Sequence, residues 1–203
     1  MSAALSIEEA RHLYAASDAA HAFDHVLRVY RLAERIGRAE GADLRVVLTA
    51  ALLHDVARSG PDHHLRSAEA ARDILAGEPP PFVEQVAHCI AAHRFRKGPP
   101  PETLEARVLQ DADKLDAIGA IGVARAFAHA GHQGSRLWAP LSQVAGEAPP
   151  SGANYTPVHE FWHKLRQLAA QLHTDTAQQM AHERHMFMES FFHQLERECQ
   201  GKA

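Results

Sequence analysis

One stretch of the chain, residues 44–57, constrains the fold more than any other. It contains VVLTAALLHDVA, which is apolar on nearly every side when drawn as a helix. Such a helix has no face for water and has to be covered by the rest of its domain. Ser59, Gly60 and Pro61 follow and end the pattern. The sequence therefore predicts a domain built around one buried central helix.

The rest of the chain predicts an all-α fold. Aromatic residues make up only 6% of the sequence and alanine is plentiful, which favours packed helices over sheets. Apolar residues recur at helical spacing, and we find no convincing strand pattern. The expected helices cover residues 7–16, 20–40, 44–57, 64–75, 82–92, 102–130 and 158–198.

A chain of 203 residues suits one large domain, and no linker divides it. We therefore expect a single domain over residues 1–203, with its core at about 20–130. Residues 131–157 hold most of the remaining glycines and prolines and predict a long loop. A loop of that length inside one domain is unusual, and we expect it to lie over the active site. A helical segment at 158–198 closes the chain.

Charge and cysteine content exclude several classes of protein. The formal net charge of −4 argues against nucleic acid as a partner, but not against a small phosphorylated substrate. Cys89 and Cys199 form no disulfide framework, which indicates a reducing compartment. The longest apolar run, residues 46–53, is too short to cross a membrane, and the N-terminus has no signal-peptide pattern. We expect a cytoplasmic protein that does not bind membranes.

The His54-Asp55 pair at the end of the buried stretch is the strongest chemical feature. The chain has 16 histidines, so any single one says little about function. Burying an ionised aspartate beside a histidine is unfavourable unless both are paired or bind a cation. The alternative is a histidine bonded to the helix end and a solvated aspartate, and for an isolated pair this is the commoner case.

Three polar residues upstream share one helical face. His21, His25 and Arg28 stand at spacings of four and three residues. Taken alone, such a face is more often an exposed polar stripe than a binding site.

Three acids are crowded downstream, in a segment that otherwise resembles core. Asp111, Asp113 and Asp116 lie within six residues of VLQDADKLDAIGAIGVARAF. A bound cation would relieve their mutual repulsion. The alternative is an acidic first turn stabilised by the helix dipole.

The order His25, His54-Asp55, Asp113 resembles the H…HD…D signature of the HD superfamily of metal-dependent phosphohydrolases. The segments HAFDHVLRV, AALLHDVA, HLRSAEAA and QDADKLDAIGAIGVARAF are similar to a bacterial subfamily of small, single-domain HD hydrolases. So is the ending TDTAQQMAHERHMFMESFFHQLERE. The resemblance covers nearly the whole chain. It implies an all-α bundle of the HD type, a divalent metal and hydrolysis of phosphate bonds in nucleotides.

The resemblance also implies a ligand set for one metal ion, namely His25, His54, Asp55 and Asp113. Asp113 is preferred to Asp111 because the superfamily ligand usually follows a small residue and precedes a basic one. Two imidazoles and two carboxylates suit Mn²⁺, Fe²⁺, Co²⁺, Ni²⁺ or Zn²⁺, with Mg²⁺ also considered and Mn²⁺ favoured.

Three further histidines are candidates for proton transfer, because imidazole titrates near neutral pH. His21, His64 and His93 each resemble a histidine found near the metal in relatives. Any of them could instead support a ligand or help to hold a second metal.

Other residues beside the expected ligands are candidates for supporting roles. Arg28 and Lys114 are expected to bind substrate phosphates, or else to be solvated basic residues. Asp116 and Asp111 are expected to orient their neighbours.

The function that these features favour is cleavage of (d)NTP to (d)NMP and pyrophosphate. A nucleotide phosphomonoesterase or phosphodiesterase on the same site is the main alternative. A third possibility is a sensor domain that binds a nucleotide without turnover. All four ligand positions are present, which argues against such a sensor.

Overall fold

Helices account for all the regular structure that the computed structural model describes, namely in residues 3–14, 19–60, 62–94, 98–146 and 148–203, without the side chains of 19–22. No strand occurs in these ranges, and the predicted all-α class is confirmed. None of the helices in these ranges is long and apolar enough to cross a membrane. They are α1 (Ile7–Leu13), α2 (Ala19–Glu40), α3 (Leu44–Leu53), α4 (His63–Ile74), α5 (Pro80–Ala92), α6 (Leu104–Asp116), α7 (Gly119–His132), α8 (Leu141–Gly146), α9 (Pro157–Glu160), α10 (Arg166–Leu168) and α11 (Asp175–Cys199).

The chain packs into two compact units. The first comprises Met1–Asp113 and His173–Thr176, and the second comprises Lys114–Leu172 and Ala177–Ala203. Helix α6 contributes residues to both units. The single domain expected over residues 1–203 stays a prediction.

Helix α3 is the centre of the first unit. Residues 46–53 are all buried, and α3 packs against α2 and α5, while α4 packs against α5. Asp43 begins the helix by accepting a hydrogen bond from the backbone N–H of Arg45 at 2.8 Å. The buried central helix is therefore confirmed, although it ends at Leu53, before the predicted boundary at residue 57. Residues 54–57 form a turn.

The predicted single helix at 102–130 is wrong, because the chain breaks between α6 and α7. Gly119 adopts φ +76°, a left-handed conformation that favours glycine. A Cβ atom at this position would also come within 3.0 Å of the Arg184 side chain. Helix α6 therefore ends at Asp116, and α7 begins at Gly119.

The segment 131–157, predicted as one long loop, contains regular structure. Helix α7 extends to His132, α8 interrupts the segment, and Gly152–Asn154 form a 3-10 turn. Val144 of α8 is fully buried, so apolar packing explains why a short helix forms among glycines and prolines. The expected position of this segment over an active site stays a prediction.

The segment 158–198 is helical as predicted but is not one continuous helix. A π-helical turn, Phe161–Leu165, joins α9 to α10, and a 3-10 turn, Ala169–Gln171, follows. Leu172 is extended (φ −85°, ψ 148°) and separates these turns from α11.

Asp111 explains the break before α11. Its carboxylate, completely buried, accepts hydrogen bonds from the backbone N–H groups of His173 (3.0 Å) and Thr174 (2.8 Å). It also accepts one from the Thr174 hydroxyl at 2.9 Å. These bonds satisfy donors that a helix start leaves without intrahelical partners.

Candidate metal centre

Imidazole and carboxylate groups cluster in the first unit where two helices end. His54 is the C-cap residue of α3 and His93 is that of α5, and Asp55 follows in the turn after α3. His25 on α2 and Asp113 on α6 complete the cluster. The carbonyl ends of helices carry partial negative charge, so the ends of α3 and α5 favour a cation.

Backbone carbonyls fix the tautomer of two of these histidines. The Nδ1 atom of His54 lies 2.8 Å from the carbonyl oxygen of Ala51, and that of His93 lies 2.6 Å from the carbonyl of Ile90. A carbonyl only accepts, so each Nδ1 carries the proton. In the neutral ring the lone pair is then on Nε2, which is the atom that faces the cluster. This arrangement is typical of histidines that bind metals.

The structure brings the four predicted ligands together. The His25 Nε2 atom lies 3.2 Å from His54 Nε2, 3.3 Å from Asp113 Oδ1 and 3.9 Å from Asp55 Oδ2. His54 Nε2 also lies 3.9 Å from Asp55 Oδ2. His25, His54 and Asp55 are all buried and offer ligand atoms close enough together for one ion.

The second oxygen of Asp55 faces a different pair of histidines. Its Oδ1 atom lies 3.5 Å from His63 Nε2 and 4.0 Å from His93 Nε2, and these three residues form a second group that could hold an ion. Sequence reasoning missed His63 and chose its neighbour His64. The ring of His64 is almost fully buried, and its centroid lies 5.9 Å from the ring centroid of His63. The adjacency of His63 to His64 in the sequence was a signal that could have identified it. The sequence does not say which of the two rings faces Asp55.

Sequence reasoning also missed Arg58. Its NH1 atom lies 3.4 Å from Asp55 Oδ2, and half of its side chain is exposed. The spacing of three residues from Asp55 is the signal that could have identified it.

The two carboxylates are held in their ionised form. Burial raises the pKa of Asp55, but the neighbouring His54, Arg58 and His93 outweigh burial and leave it below its ordinary value. Burial also raises the pKa of Asp113, and the hydrogen bond from His25 outweighs it. Both groups are therefore negative at neutral pH.

The second pair of histidines is held in the neutral form. Burial lowers the pKa of His93, with a further contribution from its neighbour His54. Burial lowers the pKa of His63 more than the nearby Asp55 raises it. A neutral imidazole is the form that binds a metal ion.

Three further predicted site residues belong to the first unit. The His21 side chain lies outside the described residues. Arg28 is half-buried on α2, three residues after His25. Asp111 holds the segment before α11, as described above.

Two predicted site residues belong to the second unit. The Lys114 side chain is buried, and its Nζ donates a hydrogen bond to the carbonyl of Gln171 at 2.5 Å. Asp116 is also buried, and it lies 3.3 Å from Arg125 NH1. The roles expected for these residues stay predictions.

Comparison with known proteins agrees with the cluster. Residues 22–118 match the HD domain family. YpgQ, an uncharacterized protein of Bacillus subtilis (strain 168), is 39% identical over 188 residues, which are 89% of this chain and 85% of YpgQ. The crystal structure of YpgQ is similar with a TM-score of 0.75 and 35% identity, covering 97% of both chains.

Two further crystal structures are similar over nearly the whole chain. YpgQ in complex with ADP has a TM-score of 0.73 at 35% identity, covering 95% of this chain and 94% of the other. An HD-superfamily hydrolase from Bacillus thuringiensis has a TM-score of 0.76 at 30% identity, covering 96% and 94%. The chain therefore belongs to the HD superfamily of hydrolases, in the group of small bacterial proteins that includes YpgQ.

Proposed function

We propose that this protein is a divalent-metal-dependent phosphohydrolase that cleaves (d)NTP to (d)NMP and pyrophosphate. The observation that carries the proposal is the convergence of His25, His54, Asp55 and Asp113 in one cluster, in which Asp113 is partly exposed and the other three are buried. The nucleotide part is supported by the relative YpgQ, which was crystallised with ADP.

The donor set fits a divalent ion. His25, His54, Asp55 and Asp113 would hold it. His54 and Asp55 are buried, and the Nε2 atom of His54 lies 3.9 Å from Asp55 Oδ2, so a small cation between them would be bound by both. Two imidazoles with two carboxylates suit Mn²⁺, Fe²⁺, Co²⁺, Ni²⁺, Zn²⁺ or Mg²⁺, and we favour Mn²⁺. A bound ion of this kind acidifies a water molecule and polarises phosphoryl oxygens.

Asp55 lies at the centre of the proposed reaction site, and Arg58 lies beside it. The two oxygens of Asp55 face different histidine pairs, so this carboxylate lies between them. Arg58 is held against Asp55 on one side and is half-exposed on the other. Its remaining N–H donors can bind the phosphate oxygens of a substrate.

His63 is the best placed of these histidines to exchange a proton with solvent. Its side chain is 20% exposed, whereas that of His93 is 3% exposed. The Nε2 atom of His63 faces Asp55 Oδ1 at 3.5 Å. In the proposed reaction the neutral His63 accepts at Nε2 the proton that the attacking water loses as the phosphate bond breaks.

The experiment is product analysis with the full-length protein. The protein is loaded with Mn²⁺, and in parallel with Mg²⁺, Co²⁺ or Ni²⁺, and incubated with dATP or with dAMP. We expect dAMP and pyrophosphate from dATP. His54→Gln and Asp113→Asn should abolish turnover, while Asp24→Asn, an exposed carboxylate next to His25, should leave it unchanged.

Two outcomes would replace the proposal. Deoxyadenosine and phosphate from dAMP, with dATP intact, would identify a phosphomonoesterase on the same site. Nucleotide binding without turnover under every metal would identify a sensor domain.

A further inference from the structure

The second unit contains a cavity of about 450 Å³ between α7 and the segment that begins with α9. Pockets of this size commonly hold small organic ligands. Its α7 wall is made largely of small residues, including Gly122, Ala126 and Ala130. Gly122 cannot be enlarged, because a Cβ atom there would lie 2.3 Å from the carbonyl oxygen of Ala117.

Basic side chains line two walls of this cavity. Arg125 and His129 lie one turn apart on α7, and Lys164 faces them from the π-helical turn. Glu160 is the only acidic side chain that lines the cavity within the described part of the chain. Lys164 lies in a π turn, a rare element that is frequent at functional sites. The side chains that line the cavity therefore include two permanent cations, Arg125 and Lys164, and one carboxylate.

Each of the two cations is paired with a carboxylate that holds it in place. Asp116, 1% exposed, lies 3.3 Å from Arg125 NH1, while 49% of the Arg125 side chain is exposed. Glu160 accepts a hydrogen bond from Lys164 Nζ at 2.6 Å and a second one from the Tyr155 hydroxyl at 2.8 Å. A buried carboxylate on a half-exposed arginine orients the guanidinium and leaves its other N–H donors toward a ligand.

We infer that this cavity binds the phosphate groups of a nucleotide, with Arg125 and Lys164 as its cationic contacts. The inference takes the nucleotide from the proposed function. Planar guanidinium and ammonium groups are the donors that proteins use for phosphate oxygens. Tyr155 on the cavity wall offers an aromatic ring beside them.

The test measures binding without metal, so that no bound ion can contribute. The full-length protein in EDTA is titrated with ATP and, separately, with inorganic pyrophosphate by calorimetry. Lys164→Gln removes one charge. The double variant Asp116→Asn/Arg125→Gln removes the charge of Arg125. The Asp116 substitution is included so that its buried carboxylate does not lose the charge of Arg125. Arg197→Gln, at an exposed arginine near the end of α11 and outside the cavity, is the control.

We expect each cavity variant to weaken both ATP and pyrophosphate binding about 10-fold, the usual effect of losing one charge-assisted hydrogen bond. The control should bind like wild type. Unchanged dissociation constants in both cavity variants would overturn the inference, as would weakened ATP binding with unchanged pyrophosphate binding. Absence of any binding by the wild-type protein in EDTA would also overturn it.

The outcome is separate from that of the proposed function. Turnover of dATP by the metal-loaded protein tests the metal centre. A protein without turnover whose ATP binding still depends on Lys164 would refute the proposed function and support the cavity.

Discussion

Asp111→Ala should lower the stability of the protein and leave metal binding intact, whereas Asp113→Ala should weaken metal binding. The two residues stand two positions apart in α6 and look alike in the sequence, but their contacts differ. Asp111 is fully buried and holds the backbone of His173 and Thr174. Asp113 is 29% exposed in its side chain and contacts His25 Nε2 at 3.3 Å.

The magnitude for Asp111 follows from the groups that it leaves behind. Asp111→Ala removes the partner of the Thr174 N–H and hydroxyl, which belong to a residue that is only 4% exposed. Each buried donor without a partner costs about 1–3 kcal/mol. At about 1.5 kcal/mol each, the free energy of unfolding falls by about 3 kcal/mol, which lowers Tm by roughly 6–12 °C. Asp111→Asn keeps one acceptor oxygen and should lose about half as much.

Asp113→Ala should instead change metal binding. It removes one of four ligands, so we expect the affinity for Mn²⁺ to fall by about 100-fold or more. The metal-free protein should lose less stability than Asp111→Ala does, because the Asp113 side chain is 29% exposed whereas Asp111 is fully buried. Below its Tm, the Asp111→Ala protein should keep its metal.

The assay combines calorimetric melting with metal analysis after dialysis against a fixed Mn²⁺ concentration. Wild type, Asp111→Ala, Asp111→Asn and Asp113→Ala are compared. The reasoning is refuted if Asp111→Ala melts like wild type and has lost its metal while Asp113→Ala retains it.

Three further predictions follow from other contacts. At pH 8 iodoacetamide should modify Cys199 and not Cys89, because burial raises the pKa of the Cys89 thiol to about 12; two equivalents incorporated by the native protein in a mass spectrum would contradict this. Tyr14→Phe should lower the free energy of unfolding by about 1 kcal/mol in urea titrations, because the Tyr14 hydroxyl donates to the Leu52 carbonyl at 2.9 Å in the core; a loss no larger than that of Tyr30→Phe would argue against it. EDTA should lower the Tm of Mn²⁺-loaded protein, by the equivalent of about 2.7 kcal/mol when free Mn²⁺ had been at 100 times its Kd; equal melting curves would speak against a metal that binds the folded state.

The sequence alone determined the fold class and the position of the central helix. Residues 46–53 are apolar on nearly every side, so their burial does not depend on which partner covers them. The choice of His54-Asp55 as the chemical centre has the same basis, because a buried charged pair needs compensation in any fold. The family resemblance added His25 and Asp113, and the structure places both beside that pair.

Only the tertiary structure decided which of two neighbouring residues faces the site. His63 and not His64 approaches Asp55. Asp111 accepts hydrogen bonds from the segment before α11. Adjacent residues on a helix differ in direction by about 100°. The rotation of α4 or α6 about its axis is fixed by packing against distant segments, which the local sequence does not encode.

The breaks within the predicted long helices were decided in the same way. Glycine is tolerated within many helices at a small cost in stability, so the presence of Gly119 alone did not predict the turn between α6 and α7. Gly119 adopts a left-handed conformation, and the side chain of Arg184, a residue 65 positions later in the chain, lies close to its Cα. Helical periodicity records which residues are buried, whereas a contact between distant residues decides where a helix has to end.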